Sequence, residues 1–357
     1  MLPADAEDYE RRVSVATDPL DSFFVQLVGE LDDQAGGFSW WSGYLANWKM
    51  RTLLSDYLIQ SVHGVSEALI SASFGARNHR QMTVADTEAA KKAHSEGRIP
   101  FPLDAQGRRR HLNITQSAES CFYHLGQALD RLSATMIVVG GFGMEVVRVD
   151  WGDVEDLAEG VTKQSTKIRL QPLGTPGRAA QDALMDPVLN WHTFGPDDWL
   201  PWMRDTRNGM THRAGGKKII AMTTANRLAR LFYRQPRWSE LQSLVFGARP
   251  PKTPFYDAFI MSASEDVLEG LCESVATLVG ELTKAIVTCW DARAANPQLI
   301  AQPDKQWQVV EPAESIWNFP GYGTPVVIRP GVLRLSPPDG KRWTAARVMD
   351  DRRSAWY

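Results

Sequence analysis

Apolar residues recur at steps of three and four over several long stretches of this chain, the period of helices that bury one face. Residues 20 to 35 and 44 to 72 carry it, with Leu53, Leu54, Tyr57, Leu58, Val62, Val65 and Leu69 on the apolar side of the second. A polar stretch from 96 to 110, holding Pro100, Pro102 and the run Arg108, Arg109, Arg110, breaks the pattern and reads as a connector. A core helix follows at about 115 to 138, opened by Thr115 or Ser117 and bearing Phe122, Leu125, Leu129, Leu132 and Met136. Gly140, Gly141, Phe142 and Gly143 come next. Their spacing is not that of a phosphate-binding loop, and a helix precedes them where such a loop needs a strand, so they read as a helix stop.

The pattern is ambiguous from 144 to 170, where Val146, Val147 and Val149 favour extended chain. Helices are expected again at 177 to 192 and 198 to 213, the second with Asp198 as N-cap and Pro201 in its first turn. Two short apolar runs, 217 to 224 and 226 to 234, fit a β-hairpin, with a helix over 225 to 233 as the alternative. A long amphipathic helix spans 264 to 293, its stripe built from Val267, Leu271, Val275, Leu278, Val279, Leu282, Ile286 and Trp290. After Pro297 the composition turns to Pro, Gly and β-branched residues, and 324 to 328 and 331 to 335 read as paired strands. The expected organisation is mainly α: an N-terminal helical region at 1–110, a helical domain at 111–295 and a small C-terminal β-rich module at 296–357.

Composition narrows the function classes. A net charge of −3 gives the whole molecule no affinity for polyanions, so any such site must be local. Cys121, Cys272 and Cys289 form neither a disulfide framework nor a Cys-x-x-Cys metal pair, and a reducing cytoplasm suits them. The acidic N-terminus is unlike a signal peptide, and no apolar run is long enough to span a membrane, so no membrane partner is expected. With no metal-binding, Walker or nucleophile-elbow pattern, no cofactor is expected.

One segment carries chemistry: Arg204, Asp205, Thr206, Arg207, Asn208, Gly209, Met210, Thr211 and His212. Arginine followed by histidine after four to six residues should arise by chance roughly 1.6 times in a chain of this composition, whereas requiring Asn beside the Arg lowers that to about 0.01. The run from Arg207 to His212 resembles the Arg-Asn-x-x-x-His signature of the HEPN superfamily (higher eukaryotes and prokaryotes nucleotide-binding), in the form its ribonucleases use. That resemblance covers about 111 to 295 and implies a HEPN-like antiparallel helical bundle, with the N-terminal helices and the β-rich module as additions. It further implies a metal-independent endoribonuclease, of defence or toxin type, whose composite site forms across a homodimer under the control of a regulatory protein partner.

The residues suit that chemistry on their own terms. His212 can move protons near neutral pH. Arg207 stays cationic and can clamp phosphate oxygens with its planar fork. Asn208 stands four residues before His212, on the same helix face, where it can orient the imidazole or hold the ribose. Arg207 is five residues from His212, rotated by about 140° unless Gly209 loosens the helix. Arg204, one turn before Asn208, is expected to support the site from behind. From Arg207 to Arg237 there is no acidic residue, and Arg213, Lys217, Lys218, Arg227, Arg230, Arg234 and Arg237 are expected to track an RNA backbone. A solvated basic face is the alternative. His124, Asp130 and His192 read as satisfied polar groups, and Arg77, Asn78, His79 and Arg80 as a basic loop. A non-catalytic RNA- or partner-binding scaffold and a mononucleotide-binding protein are the rival functions.

Overall fold

The computed structural model describes residues 7–32, 34–43, 48–97, 104–142, 146, 148–160, 170–212, 219–223, 227–235, 258–300, 318–327 and 335–346, with the side chains of 42, 43, 48, 49, 212, 219 and 222 excepted. The chain is mainly helical. Its helices are α1 (Asp8–Glu30), α2 (Trp48–Ser95), α3 (Ala105–Gly140), α4 (Trp151–Ala158), α5 (Pro176–Leu189), α6 (Trp199–His212), α7 (Ser264–Ala295) and α8 (Pro337–Ala345). Two small antiparallel hairpins interrupt them: β1 (Leu31–Asp32) with β2 (Gly37–Phe38), and β3 (Ile219–Met222) with β4 (Leu228–Leu231). The described chain forms two compact units, each gathering three separated stretches: 1–21, 63–132 and 185–285 in the first, 22–62, 133–184 and 286–357 in the second.

In the first unit α2 runs antiparallel to both α1 and α3. Ser66, Ser73 and Arg77 of α2 meet Asp21, Arg12 and Glu7, in descending order along the N-terminal segment. On the other side the carbonyl of Gly64 accepts from Arg131, and His79 and Asp86 meet the backbone oxygen of Ile114 and the guanidinium of Arg110. Helix α7 instead runs alongside α1 in the same direction, Arg12 facing Glu269 and Val15 facing Gly280. A parallel helix pair needs a long return of the chain, and the residues between α3 and α7 supply it. Leu125, Leu129, Leu268, Val275 and Leu278 fill this core.

His79 ties three helices of this unit together. Its Nδ1 is 2.9 Å from the Ile114 carbonyl on α3, and its Nε2 is 2.7 Å from Oγ of Ser264, the first residue of α7. The carbonyl requires a proton on Nδ1, so in the neutral ring Nε2 accepts from the serine hydroxyl. The stretch expected as a basic loop is therefore helical, and His79 is buried. Charge alone suggested a loop; apolar neighbours at helical spacing, Ala72 and Ala76 among them, decide otherwise.

The second unit is built on aromatic rings. Trp290 of α7 sits edge-on to Phe23 of α1, to Phe38 of β2 and to Trp40 and Trp41 in the turn after it, with centroids 4.8 to 6.1 Å apart. Such pairs add to the burial of their large surfaces. Arg293, one turn beyond Cys289, is fully buried; it lies over the Trp40 ring and donates to the carbonyls of Val138 and Val139 at the end of α3. A cation placed on terminal carbonyls answers both their missing hydrogen bonds and the negative end of the helix dipole. The helix ends where the glycines require. Gly141 takes a φ of 61°, and the amide of Phe142 reaches back to the Ile137 carbonyl, the six-to-one closure of a Schellman stop. Within the ambiguous stretch, beyond Val149, helix α4 forms over the acidic residues behind a capping box of Asp150 and Asp153.

Two further expectations give way. Helix α3 begins at Ala105, so the Arg108 to Arg110 run is helical, with Asp104 accepting from the Gly107 amide as a cap. In the C-terminal stretch the described residues contain α8 and no strand: 318–327 is irregular, with Val326 and Val327 at 86% and 91% exposure and Pro325 lacking a donor. The segment 328–334 lies outside the described residues.

Replacing Arg293 with Ala removes the charged donor from the α3 carbonyls, leaving Val138 the Gly141 amide and Val139 the weak Cys289 thiol. The expected loss is about 1–3 kcal/mol in urea unfolding, against little change for an exposed control such as Lys284→Ala.

Candidate functional site

The helix α6 holds the motif. It begins at Trp199, with the carbonyl of Asp198 accepting the first helical bond from Trp202 while Asp198 itself sits at φ 58°. Trp199, Leu200, Met203 and Thr206 form the buried side; the indole of Trp202 packs edge-on against Phe122 of α3 and Phe232, and donates to the Tyr233 carbonyl. These contacts fix α6 between α3 and the β3–β4 segment, all within the first unit. Gly209 does not loosen it. The helix runs on to His212, which closes it and whose side chain lies outside the described residues.

Arg207 leaves this helix toward α3 and crosses it at Gly126. A Cβ at position 126 would stand 2.9 Å from Nε of Arg207 and 3.4 Å from its Cδ and Cζ, so any other residue there would push the guanidinium from this path. One turn further along α3, Asp130 Oδ2 meets Nη2 at 3.3 Å, and from α6 itself Asn208 Oδ1 accepts from Nη1 at 3.2 Å. Nε is buried and finds no hydrogen-bond acceptor. The guanidinium is thus held on two edges while its side chain keeps 27% exposure. At 27% and 35% exposure the ion pair with Asp130 is a solvent-screened contact, and a phosphate offering two oxygens in the plane of the fork would compete with it. Asn208 is exposed beside it, and Arg204, half buried, stands one turn before.

The basic run divides on inspection. In the hairpin Ile220 pairs with Arg230 and Met222 with Leu228, and the end of β4, Arg230 with Leu231, is buried. Arg230 keeps only 4% of its side chain exposed, and it binds Asp86 of α2 at 2.7 Å, a carboxylate shared with Arg110. Arg230 is a structural cation, and its expected part in an RNA face is withdrawn. Arg227 is exposed but lies 3.4 Å from Glu265, and Arg234 donates to the Phe259 carbonyl. Arg213, Lys217, Lys218 and Arg237 lie outside the described residues.

Sequence reasoning set Asp130 aside as a satisfied polar group and did not weigh Gly126 at all. The signal was present, since Gly126 and Asp130 share a face of α3 one turn apart. What the sequence lacked was the knowledge that α6 crosses there. Among the described residues no cluster of three or more His, Cys, Asp or Glu could hold a metal ion, and no helix is long and apolar enough to cross a membrane.

A double-mutant cycle between Arg207→Ala and Asp130→Ala should give a coupling of about 0.5 kcal/mol in unfolding experiments, the size of a half-exposed pair. In a Gly126→Ala background, which closes the passage, that coupling should vanish; a coupling unchanged by the alanine would show that the guanidinium does not pass over position 126.

No protein-family model, curated protein or solved structure matches this chain, so the site rests on its own geometry.

Proposed function

We propose that the chain is a metal-independent endoribonuclease of HEPN type, working as a homodimer in a defence or toxin setting. The observation that supports this reading is the Arg207–Asn208 pair itself: a part-exposed guanidinium, held on two edges beside an exposed amide, on the helix that ends at His212. With α6 regular through Gly209, Arg207 and His212 stand about 140° apart around one helix. A single copy therefore does not aim both groups at one phosphate, and two copies related by a twofold axis supply the missing half.

In that composite site the imidazole of one copy takes the proton of a ribose 2′-OH, and the 2′-oxygen attacks the adjacent phosphorus. Arg207 from each side binds the non-bridging oxygens, whose charge grows in the pentacoordinate transition state. The bond from phosphorus to the 5′-oxygen breaks, His212 of the partner subunit protonates the departing oxygen, and a 2′,3′-cyclic phosphate remains. Asn208 keeps the guanidinium in plane. Of the expected RNA face, Arg227 and Arg234 are described residues that retain exposure.

A second reading has one observation in its favour: the contact of Arg207 with Asp130 also serves as a plain tie between α6 and α3. In that case the protein is a helical scaffold for RNA or a protein partner, and mononucleotide binding is a further outcome. The deciding experiment is cleavage of a mixed-sequence RNA in EDTA, comparing wild type with Arg207→Ala, Asn208→Ala and His212→Ala. The nuclease reading expects cyclic-phosphate ends, losses of 100-fold or more (on the order of a general acid or base) for the first and third variants, and a smaller loss for the second. Salt-sensitive RNA binding that survives His212→Ala without any scission would leave the scaffold.

A further inference from the structure

Cys121 and Cys272 come from helices α3 and α7, 151 positions apart in the chain, yet their Sγ atoms stand 3.7 Å apart in the core of the first unit. Both residues are fully buried. That separation is van der Waals contact between two sulfurs, which need to approach by about 1.7 Å to reach a bonding distance of about 2.05 Å. The third cysteine, Cys289, faces the Val139 carbonyl in the second unit and has no thiol beside it. The proposed nuclease chemistry makes no use of any of the three.

We propose that Cys121 and Cys272 are a latent dithiol whose oxidation bonds α3 to α7 and locks the core of the first unit. This inference does not depend on the nuclease reading. With a peroxide as oxidant the step balances. One thiol, ionised as the core opens, attacks a peroxide oxygen; the O–O bond breaks, leaving a sulfenic acid and, after proton transfer, water. The second thiol then attacks the sulfenic sulfur and releases the second water. Two S–H bonds are lost and one S–S bond forms, the sulfurs being oxidised and the peroxide reduced.

Burial sets the timing. The hydrogen bond to Cys272 and the loss of solvent push the Cys121 thiol well above its ordinary 9.0, so it stays protonated in the closed core at neutral pH. Helix α2 seals this side, with Gly75 so close that a Cβ there would be 3.1 Å from the Cys121 amide. Reaction therefore waits on local opening, and its rate should follow the population of the opened state. Once formed, the bond holds the helix that carries Phe122, Gly126 and Asp130, which meet α6.

The full-length reduced protein, treated with hydrogen peroxide under native conditions and then alkylated and peptide-mapped, tests this. The expected result is a single intramolecular link between the Cys121 and Cys272 peptides, with Cys289 still alkylated. It should form faster in sub-denaturing urea and revert with dithiothreitol. The linked protein should unfold several degrees higher, because the bond closes a long loop in the unfolded chain. Cys121→Ser and Cys272→Ser should form no link; since either could disturb the core, the wild-type peptide map stands as the primary readout. Three alkylatable thiols after prolonged native exposure, or a link through Cys289 or between chains, would overturn the proposal.

Discussion

The candidate site depends on one steric fact, the absence of a side chain at position 126. Helix α6 sends Arg207 across α3 along a path that Gly126 leaves open, with Nε lying where a Cβ would come within 2.9 Å. Everything chemical about the site follows from that crossing. It brings the guanidinium to Asp130 and leaves Asn208 free to brace the other edge. It also buries Nε without an acceptor, a cost that the well-packed base of α6, with Trp202 between Phe122 and Phe232, is placed to offset. A glycine inside a helix forfeits about 1 kcal/mol of helix propensity relative to alanine, and here the space it opens is what the neighbouring helix uses.

The interior of this protein uses cations where a plain hydrophobic core would use leucine. Arg293 closes the end of α3 and Arg230 binds Asp86, each nearly or wholly buried, while His79 joins α2, α3 and α7. A buried arginine is tolerable when its donors meet carbonyls or a carboxylate, and it then specifies which elements lie together more sharply than apolar contact does. The same device explains why counting charges along the sequence overestimated the basic surface. Eight basic residues between Arg207 and Arg237 suggested a continuous face, but the end of β4 that carries Arg230 is buried. Arg230 went inward, and Arg227 and Arg234 found partners on the same unit.

What the sequence made legible were the elements whose signal is periodic and long. The core stretch near 115 to 138, the motif helix and the long final helix all form at or close to their expected positions, because a stripe of apolar residues at steps of three and four can be buried only by a helix. The stop at Gly141 was legible for a local reason, its left-handed backbone. Short or polar segments were not. The Arg108 to Arg110 run and His79 lie in helices whose identity is set by tertiary neighbours, and residues 324–327, despite strand-like composition, are irregular and exposed. Within the site, Arg207, Asn208 and His212 were legible as a motif, whereas Gly126 and Asp130 belong to it through a crossing of helices that no local pattern encodes.

The regularity of α6 carries a consequence for how any catalytic site here must be built. Had the helix opened at Gly209, one chain could have turned Arg207 and His212 toward the same phosphate, and symmetry would be unnecessary. Gly209 is buried instead, and the hydroxyl of Thr211 bonds to the Arg207 carbonyl, so the last turn stays helical. Positions 207 and 212 are then separated by about 140° around the helix axis, fixed by the 100° step of the helix. Bringing them to one face within one chain would break the last-turn hydrogen bonds, whereas in the proposed homodimer a second copy would supply its own histidine without any local rearrangement. For the proposed nuclease, the less the helix end yields, the more completely the chemistry must rest on association of two copies.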